Sequence, residues 1–118
     1  MHELAMLKGV VDAVEKVASQ AGARGVKAVH LRVGTRSGAV PEALEGTWPI
    51  VTTATSLAQT KLVIEVVQAA VWCETCGGEQ PIDEFFAWTC PVCQTPTANL
   101  VAGREFELVG VDLDETPI

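Results

Sequence analysis

Four cysteines, spaced as Cys73-x-x-Cys76 and Cys90-x-x-Cys93 with thirteen residues between the pairs, constrain this chain more than any other feature. A Cys-x-x-Cys turn lets two sulfurs converge on one ion, and a second such turn across a short β-rich loop completes a tetrahedron at Zn–S distances of roughly 2.3 Å. Gly77-Gly78 follows the first pair and Pro91 lies inside the second, as tight turns require. The spacing therefore predicts a structural Zn(II) held by Cys73, Cys76, Cys90 and Cys93. With four thiolates bound, no coordination position is left for water, so the ion would hold structure and do no chemistry. Two disulfides would need an oxidising compartment, and the Met1-His2-Glu3-Leu4 start lacks the charged-then-apolar layout of a secretory signal. A cytoplasmic protein is expected. A thioredoxin-like redox pair would give no reason for the second Cys-x-x-Cys.

At 118 residues the chain has the length of one domain, but a metal-stapled lobe of about 25 to 30 residues can stand as a second unit, because the metal supplies the stability that its small core cannot. A hydrophobic content of 48% with 19% charged residues fits a globular fold. No apolar run reaches the roughly 18 residues of a membrane-spanning helix. The net charge of −7 argues against a phosphate-backbone binder. Between Ala70 and Asn99 there is no Lys or Arg, while Glu74, Glu79, Asp83 and Glu84 are acidic, so neither nucleic acid nor membrane is an expected partner.

Leu4, Leu7, Val11, Val14, Ala18 and Ala21 recur at spacings of three and four, opposite Lys8, Asp12, Glu15, Lys16, Ser19 and Gln20. That pattern predicts an amphipathic helix over residues 3–21. Val29, Leu31 and Val33 then alternate with His30 and Arg32, which predicts a half-buried strand over 26–33 ending at Gly34. Pro41 suits the first position of a second helix with Leu44, Trp48 and Val51 as its buried stripe. Pro49 should kink or break it between Glu45 and Ile50, and the threonines beyond place its end near Ser56. Further strands are expected over 61–68 and 105–113, with Asp114 to Ile118 as a loose acidic tail. The expected fold class is α+β, two helices on a three-stranded sheet. A four-cysteine, zinc-ribbon-like lobe (70–100) would be inserted into a domain made of 1–69 and 101–118.

His2 introduces a second metal chemistry. In an X-His terminus the free amine, the deprotonated amide of His2 and its imidazole close fused chelate rings around one ion. Planar nitrogen donors of this kind favour Ni(II) or Cu(II) over Zn(II). His30, on the polar face of a strand, reads as an ordinary surface histidine. The sequence offers no Ser/His/Asp or Cys/His constellation and no Gly-x-x-x-x-Gly-Lys-Ser/Thr phosphate loop, so it does not read as an enzyme.

Met1-His2-Glu3-Leu4, the run Gly34-x-x-Ser37-Gly38-Ala39-Val40-Pro41-Glu42-Ala43-Leu44, and the four-cysteine segment followed by Gly103-Arg104-Glu105-Phe106 together resemble the HypA/HybF family of hydrogenase nickel-incorporation proteins. The resemblance covers essentially the whole chain. It implies a nickel metallochaperone in which His2, with the backbone of Met1 and Glu3, binds Ni(II), and the four cysteines bind Zn(II). The implied partners are the accessory GTPase HypB and the large-subunit precursor of a [NiFe] hydrogenase. The chain departs from the family at Glu45-Gly46-Thr47-Trp48-Pro49-Ile50, where relatives continue the helix with aromatic residues, and in lacking histidines beside the cysteine pairs. The other function class compatible with the cysteines is a zinc-ribbon interaction or regulatory module that binds no nickel.

Overall fold

A computed structural model describes residues 2–114. The order of elements is α1 (His2–Ala21), β1 (Gly25–Gly34), α2 (Pro41–Thr52), β2 (Lys61–Val67), β3 (Ala70–Cys73), β4 (Gly78–Pro81), β5 (Leu100–Ala102) and β6 (Phe106–Asp114). Two three-stranded sheets result, β2-β1-β6 and β4-β3-β5. Asp114, expected to open the loose tail, instead ends β6 opposite Gly25, where backbone pairing holds it; the rest of that tail, from Glu115 onward, and the Met1 amine lie outside the described residues.

β1 is the centre of the first sheet. Its Val29, Leu31 and Val33 are fully buried, while His30 and Arg32 point to the other face, as the period-two alternation dictates. β2 runs parallel to β1 from Ala28↔Lys61 to Gly34↔Val67, and β6 runs antiparallel on the other side. Parallel neighbours need a crossover, and α2 supplies it. α1 and α2 cover the apolar face, so that Leu7, Val10, Val11 and Val14 of α1 meet Leu44 and Trp48 of α2 and Leu57 of the following turn. Leu7, Leu31, Leu44 and Leu57 are wholly excluded from water, each contributing about 1.5–3 kcal/mol relative to exposure. The buried stripe of α1 includes Val10 and excludes Ala21, a small rotation from the expected one.

α2 differs more. It continues through Pro49 without a break and stops at Thr52, short of the expected end near Ser56. Pro49 takes away the donor that Glu45 would receive, but Glu45, Gly46, Pro49 and Ile50 all lie on the exposed side, where water can replace it. The buried side is tied elsewhere. Trp48 Nε1 donates to the Thr60 carbonyl at 2.8 Å, and the hydroxyls of Thr52 and Thr53 donate back to the carbonyls of Trp48 and Pro49. These bonds spend the hydroxyls on closing the helix, which ends there.

The two sheets meet at a tight junction. The Gly34 amide donates to the Glu105 carbonyl, the Arg36 amide to Gly103, and the Ala69 amide to the Thr35 hydroxyl. A Cβ on Gly34 would lie 2.1 Å from the Gly103 oxygen, so only glycine permits this approach. Apart from Cys73 and Cys90, the apolar cluster beside the second sheet buries Ala69, Val71 and Ile82, with Phe86 and Leu100 packed against them. A core of that size does not stabilise a lobe alone. The radius of gyration, 17.9 Å, exceeds the roughly 13.5 Å of a compact domain of this length, because the molecule is elongated, with extents of 59 × 28 × 16 Å.

Candidate metal sites

The two cysteine pairs form matching turns. Cys73 ends β3, and its carbonyl accepts the Gly77 amide at 2.8 Å; the Cys90 carbonyl accepts the Gln94 amide at 2.9 Å. Gly77 and Gln94 occupy the same place in the two turns, and both take a left-handed conformation with φ of 71° and 63°. Glycine adopts it freely, whereas Gln94 does so at a local cost that the turn must offset. The Thr89↔Pro96 bridge closes the second turn, and the segment after it is tied to β3, the Thr97 hydroxyl donating to the Trp72 carbonyl and the Trp72 amide to the Asn99 carbonyl.

These turns bring the four sulfurs together, all within 4.8 Å of one another. Cys73 Sγ and Cys93 Sγ are 3.5 Å apart, and Cys76 Sγ and Cys90 Sγ are 3.8 Å apart. A tetrahedron with metal–sulfur bonds of roughly 2.3 Å has edges of about 3.8 Å; a disulfide would need about 2.05 Å. The donor set therefore fits a tetrahedral thiolate ion. Backbone amides of Cys76 and Val92 point at the sulfurs of Cys73 and Cys90 at 3.4 Å, as thiolates invite. Without metal, Cys76, Cys90 and Cys93 differ in how readily they ionise. A side-chain hydrogen bond to Cys93, aided by desolvation, pushes Cys76 up to about 12. The Thr95 hydroxyl and amide bring Cys93 down to about 6, and the Cys93 amide lowers Cys90. A divalent cation overrides these differences by neutralising the charge that the sulfurs impose on one another.

His2 lies in the other lobe, exposed at the first residue of α1. Its Nε2 is 3.6 Å from the position that a Cβ on Gly38 would occupy, so the loop after β1 passes directly beside the imidazole. The first amides of a helix have no intrahelical acceptor, so the His2 and Glu3 nitrogens are free of the helix ladder. Among the described residues no second group of three or more His, Cys, Asp or Glu side chains converges. A metal at His2 would therefore depend on backbone donors. His30 is elsewhere, bonded through Nε2 to Asp112 at 2.9 Å on the outer face of the first sheet, next to Arg32 with Glu65 and Glu107. The proximity of His2 to Gly38 carries no sequence signal.

Comparison with known proteins bears on the family and on the fold. The family profile described as "HypA: Hydrogenase/urease nickel incorporation, metallochaperone, hypA" matches residues 1–113. The hydrogenase maturation factor HypA of Chloroflexus aggregans is 37% identical over 99% of this chain and 100% of its own length. That of Geobacter metallireducens is 36% identical over 97% and 100%. The solution structure of the Ni metallochaperone HypA from Helicobacter pylori superposes with a TM-score of 0.64 at 15% identity, over 95% of this chain and 97% of that one. A second solution structure of a HypA protein gives 0.69 at 17% identity, over 96% of each chain. At those identities the superpositions speak for the fold.

Proposed function

Because the chain belongs to the HypA family of hydrogenase/urease nickel-incorporation metallochaperones, we propose that it carries Ni(II) at its N-terminus and helps insert the ion into [NiFe] hydrogenase during maturation. The observation that carries this reading is His2, an exposed imidazole at the head of α1 beside helix amides that have no intrahelical acceptor. The Met1 amine, the His2 amide and the imidazole would hold the ion as cargo, with the backbone of Glu3 available as a further donor. The positive end of the helix dipole favours the negative charge of a deprotonated amide, and so favours this mode.

The four cysteines would hold Zn(II) as a resident structural ion. Zinc's contribution there is a rigid crosslink: Cys73 and Cys76 fix the end of β3, and Cys90 and Cys93 fix the loop that returns to β5. The same reading divides the chain into a nickel-binding domain of 1–69 with 101–118, and an inserted zinc domain of 70–100. β2 and β6 flanking β1 in one sheet, with β3, β4 and β5 in another, supports a division of this kind, with β5 (Leu100–Ala102) running two residues past its C-terminal boundary. The partners would be the accessory GTPase HypB and the hydrogenase large-subunit precursor, in the cytoplasm; no helix among the described residues is long and apolar enough to cross a membrane. The protein would hand over an ion and catalyse no bond chemistry.

The test is transfer. Radioactive nickel should enter a hydrogenase large-subunit precursor faster in the presence of the full chain with HypB and GTP, and His2→Ala should reduce the rate to that without the protein. Equal incorporation with His2→Ala would refute the carrier role of this terminus.

A further inference from the structure

The sheet built on β1 has two free edges, β2 and β6, and they are not alike. β6 is a poor template for another strand. Its pairing with β1 is interrupted by register shifts between Val26 and Ala28 and between His30 and Leu31, and it carries Glu107 and Asp112 with no Lys or Arg. Bulges and charges of one sign are devices that keep an edge from pairing. β2 has neither. It pairs with β1 in unbroken register from Ala28↔Lys61 to Gly34↔Val67, and its Val63, Ile64, Val66 and Val67 are β-branched residues that favour strands.

The Thr35 amide donates to the Val67 carbonyl, so the backbone groups of Val67 face β1. The N–H and C=O of one residue point to the same side and successive residues alternate. Val63 and Glu65 therefore also face β1, and the amides and carbonyls of Leu62, Ile64 and Val66 face outward. Among the described residues no backbone hydrogen bond reaches them. The helices do not cover this edge either, since Leu62 and Ile64 are only partly buried and Val66, on the helix side of the sheet, is 53% exposed.

Lys61, Val63 and Glu65 form a row on the opposite face of the sheet, beside Ala28, His30 and Arg32. Glu65 is bonded to Arg32 at 2.5 Å, and Arg32 also reaches Glu107 at 3.5 Å. Lys61 has no ion-pair partner among the described residues. This row is complementary to itself. When two β2 strands run antiparallel about Val63, Lys61 of each copy lies opposite Glu65 of the other, and Val63 lies opposite Val63. Those are non-hydrogen-bonded positions, where facing side chains come closest. The outward amides of Leu62 and Ile64 then donate to the Ile64 and Leu62 carbonyls of the second copy. Pairing about Ile64 would satisfy the backbone equally but set Lys61 against Val67 and Glu65 against Val63, so the charges select the first register.

We propose that β2 pairs with β2 of a second copy of this chain in that register, joining two three-stranded sheets into one continuous sheet. Glu65 then bridges Arg32 of its own chain and Lys61 of the second copy. The contact is isologous, so it closes at a dimer and leaves only the irregular, acidic β6 edges outside. Neither metal site takes part, and the proposal stands or falls separately from the carrier reading.

The test uses the full zinc-loaded chain without nickel, by sedimentation equilibrium from about 10 μM to about 1 mM, the range in which a small contact associates, and by amide hydrogen exchange at both ends of that range. A monomer in equilibrium with a dimer is expected. The Leu62 and Ile64 amides should exchange slowly only at high concentration, while those of Val63 and Glu65, bonded to β1 in either state, should not change. Lys61→Glu turns both opposite-charge pairs into like-charge pairs and should weaken the dimer at least about tenfold; Lys61 has no ion-pair partner in its own chain, so the fold does not depend on it. Glu65→Lys should weaken the dimer as well, and an equal mixture of the two variants should regain it, because their charges are opposite across the strand pair. If the loss of the Arg32 contact unfolds Glu65→Lys, Lys61→Glu and the exchange pattern still decide. A chain that stays monomeric at the highest concentration, a dimer in which the Leu62 and Ile64 amides exchange as in the monomer, undiminished association of Lys61→Glu, or a mixture of folded variants that associates no better than either alone would each overturn the proposal.

Discussion

Gly103 is the position where one added methyl group should do most damage. Its φ is 117°, a conformation that side chains rarely adopt, and a Cβ there would lie 2.5 Å from the Ala69 Cβ and 2.6 Å from its Cα. The Ala69 atoms cannot swing away, because its amide is bonded to Thr35 and its carbonyl to Ile82. Backbone strain at such a residue costs about 1–3 kcal/mol, and overpacking a tight contact about 1–3 more. Gly103→Ala should therefore lose about 2–6 kcal/mol, a large part of the roughly 5–15 kcal/mol that holds a domain folded. The control is Gly9→Ala in the middle of α1, where a Cβ meets nothing within 4 Å; helix propensity predicts a gain of about 0.5–1 kcal/mol. Urea denaturation at fixed free zinc, followed by circular dichroism, separates them, because one methyl group should lower the midpoint by about 1–3 M and the other raise it slightly. A Gly103→Ala midpoint within error of the parent would refute the close packing of the junction.

Cys90→Ser should release the lobe's metal and expose the amides of residues 70–102 to hydrogen exchange, while α1, β1 and α2 keep their protection, because their core contains no residue of the cysteine lobe. Uniform loss of protection over the whole chain would contradict that separation. Zinc affinity should rise with pH. Cys76, with its pKa pushed to about 12, is protonated at neutral pH and must release its proton to solvent when the metal binds, so this thiol alone makes affinity fall about tenfold per unit of acidification. Cys93, near 6, is already a thiolate at pH 7 and adds a second proton only below its pKa, so the dependence should steepen there in competition titrations against a chelator of known pH behaviour. A pH-independent affinity would show that the thiols are not the ligands.

Much of this structure is legible in the sequence because it rests on local periods. Val29, Leu31 and Val33 alternate and are buried together; Leu7, Val11 and Val14 recur at helical spacing and form the helix's inner face. The cysteine turns are legible because two residue pairs at fixed spacing leave few geometries. Pro49 misleads, since its effect depends on which side of the helix loses a donor, and here that side faces solvent. The junction is not local at all. Gly34, Ala69 and Gly103 are far apart in sequence, and nothing in their neighbours reports that their backbones touch. The same holds for His2 beside Gly38, and for the short strands β3, β4 and β5, whose three or four residues are too few to show a period.

The central claim is that one Ni(II) binds the free N-terminus and leaves the four cysteines untouched. Calorimetric and absorption titration of the untagged, zinc-loaded protein tests it directly, alongside His2→Ala and a form acetylated at Met1. The expected result is one nickel per chain with the d–d bands of a planar, nitrogen-rich complex, affinity that weakens in acid because protons compete with the metal for the donor nitrogens, and loss of that complex in both altered forms with zinc retained. Undiminished stoichiometric nickel binding in both altered forms, or nickel bound by thiolates with release of zinc, would contradict it.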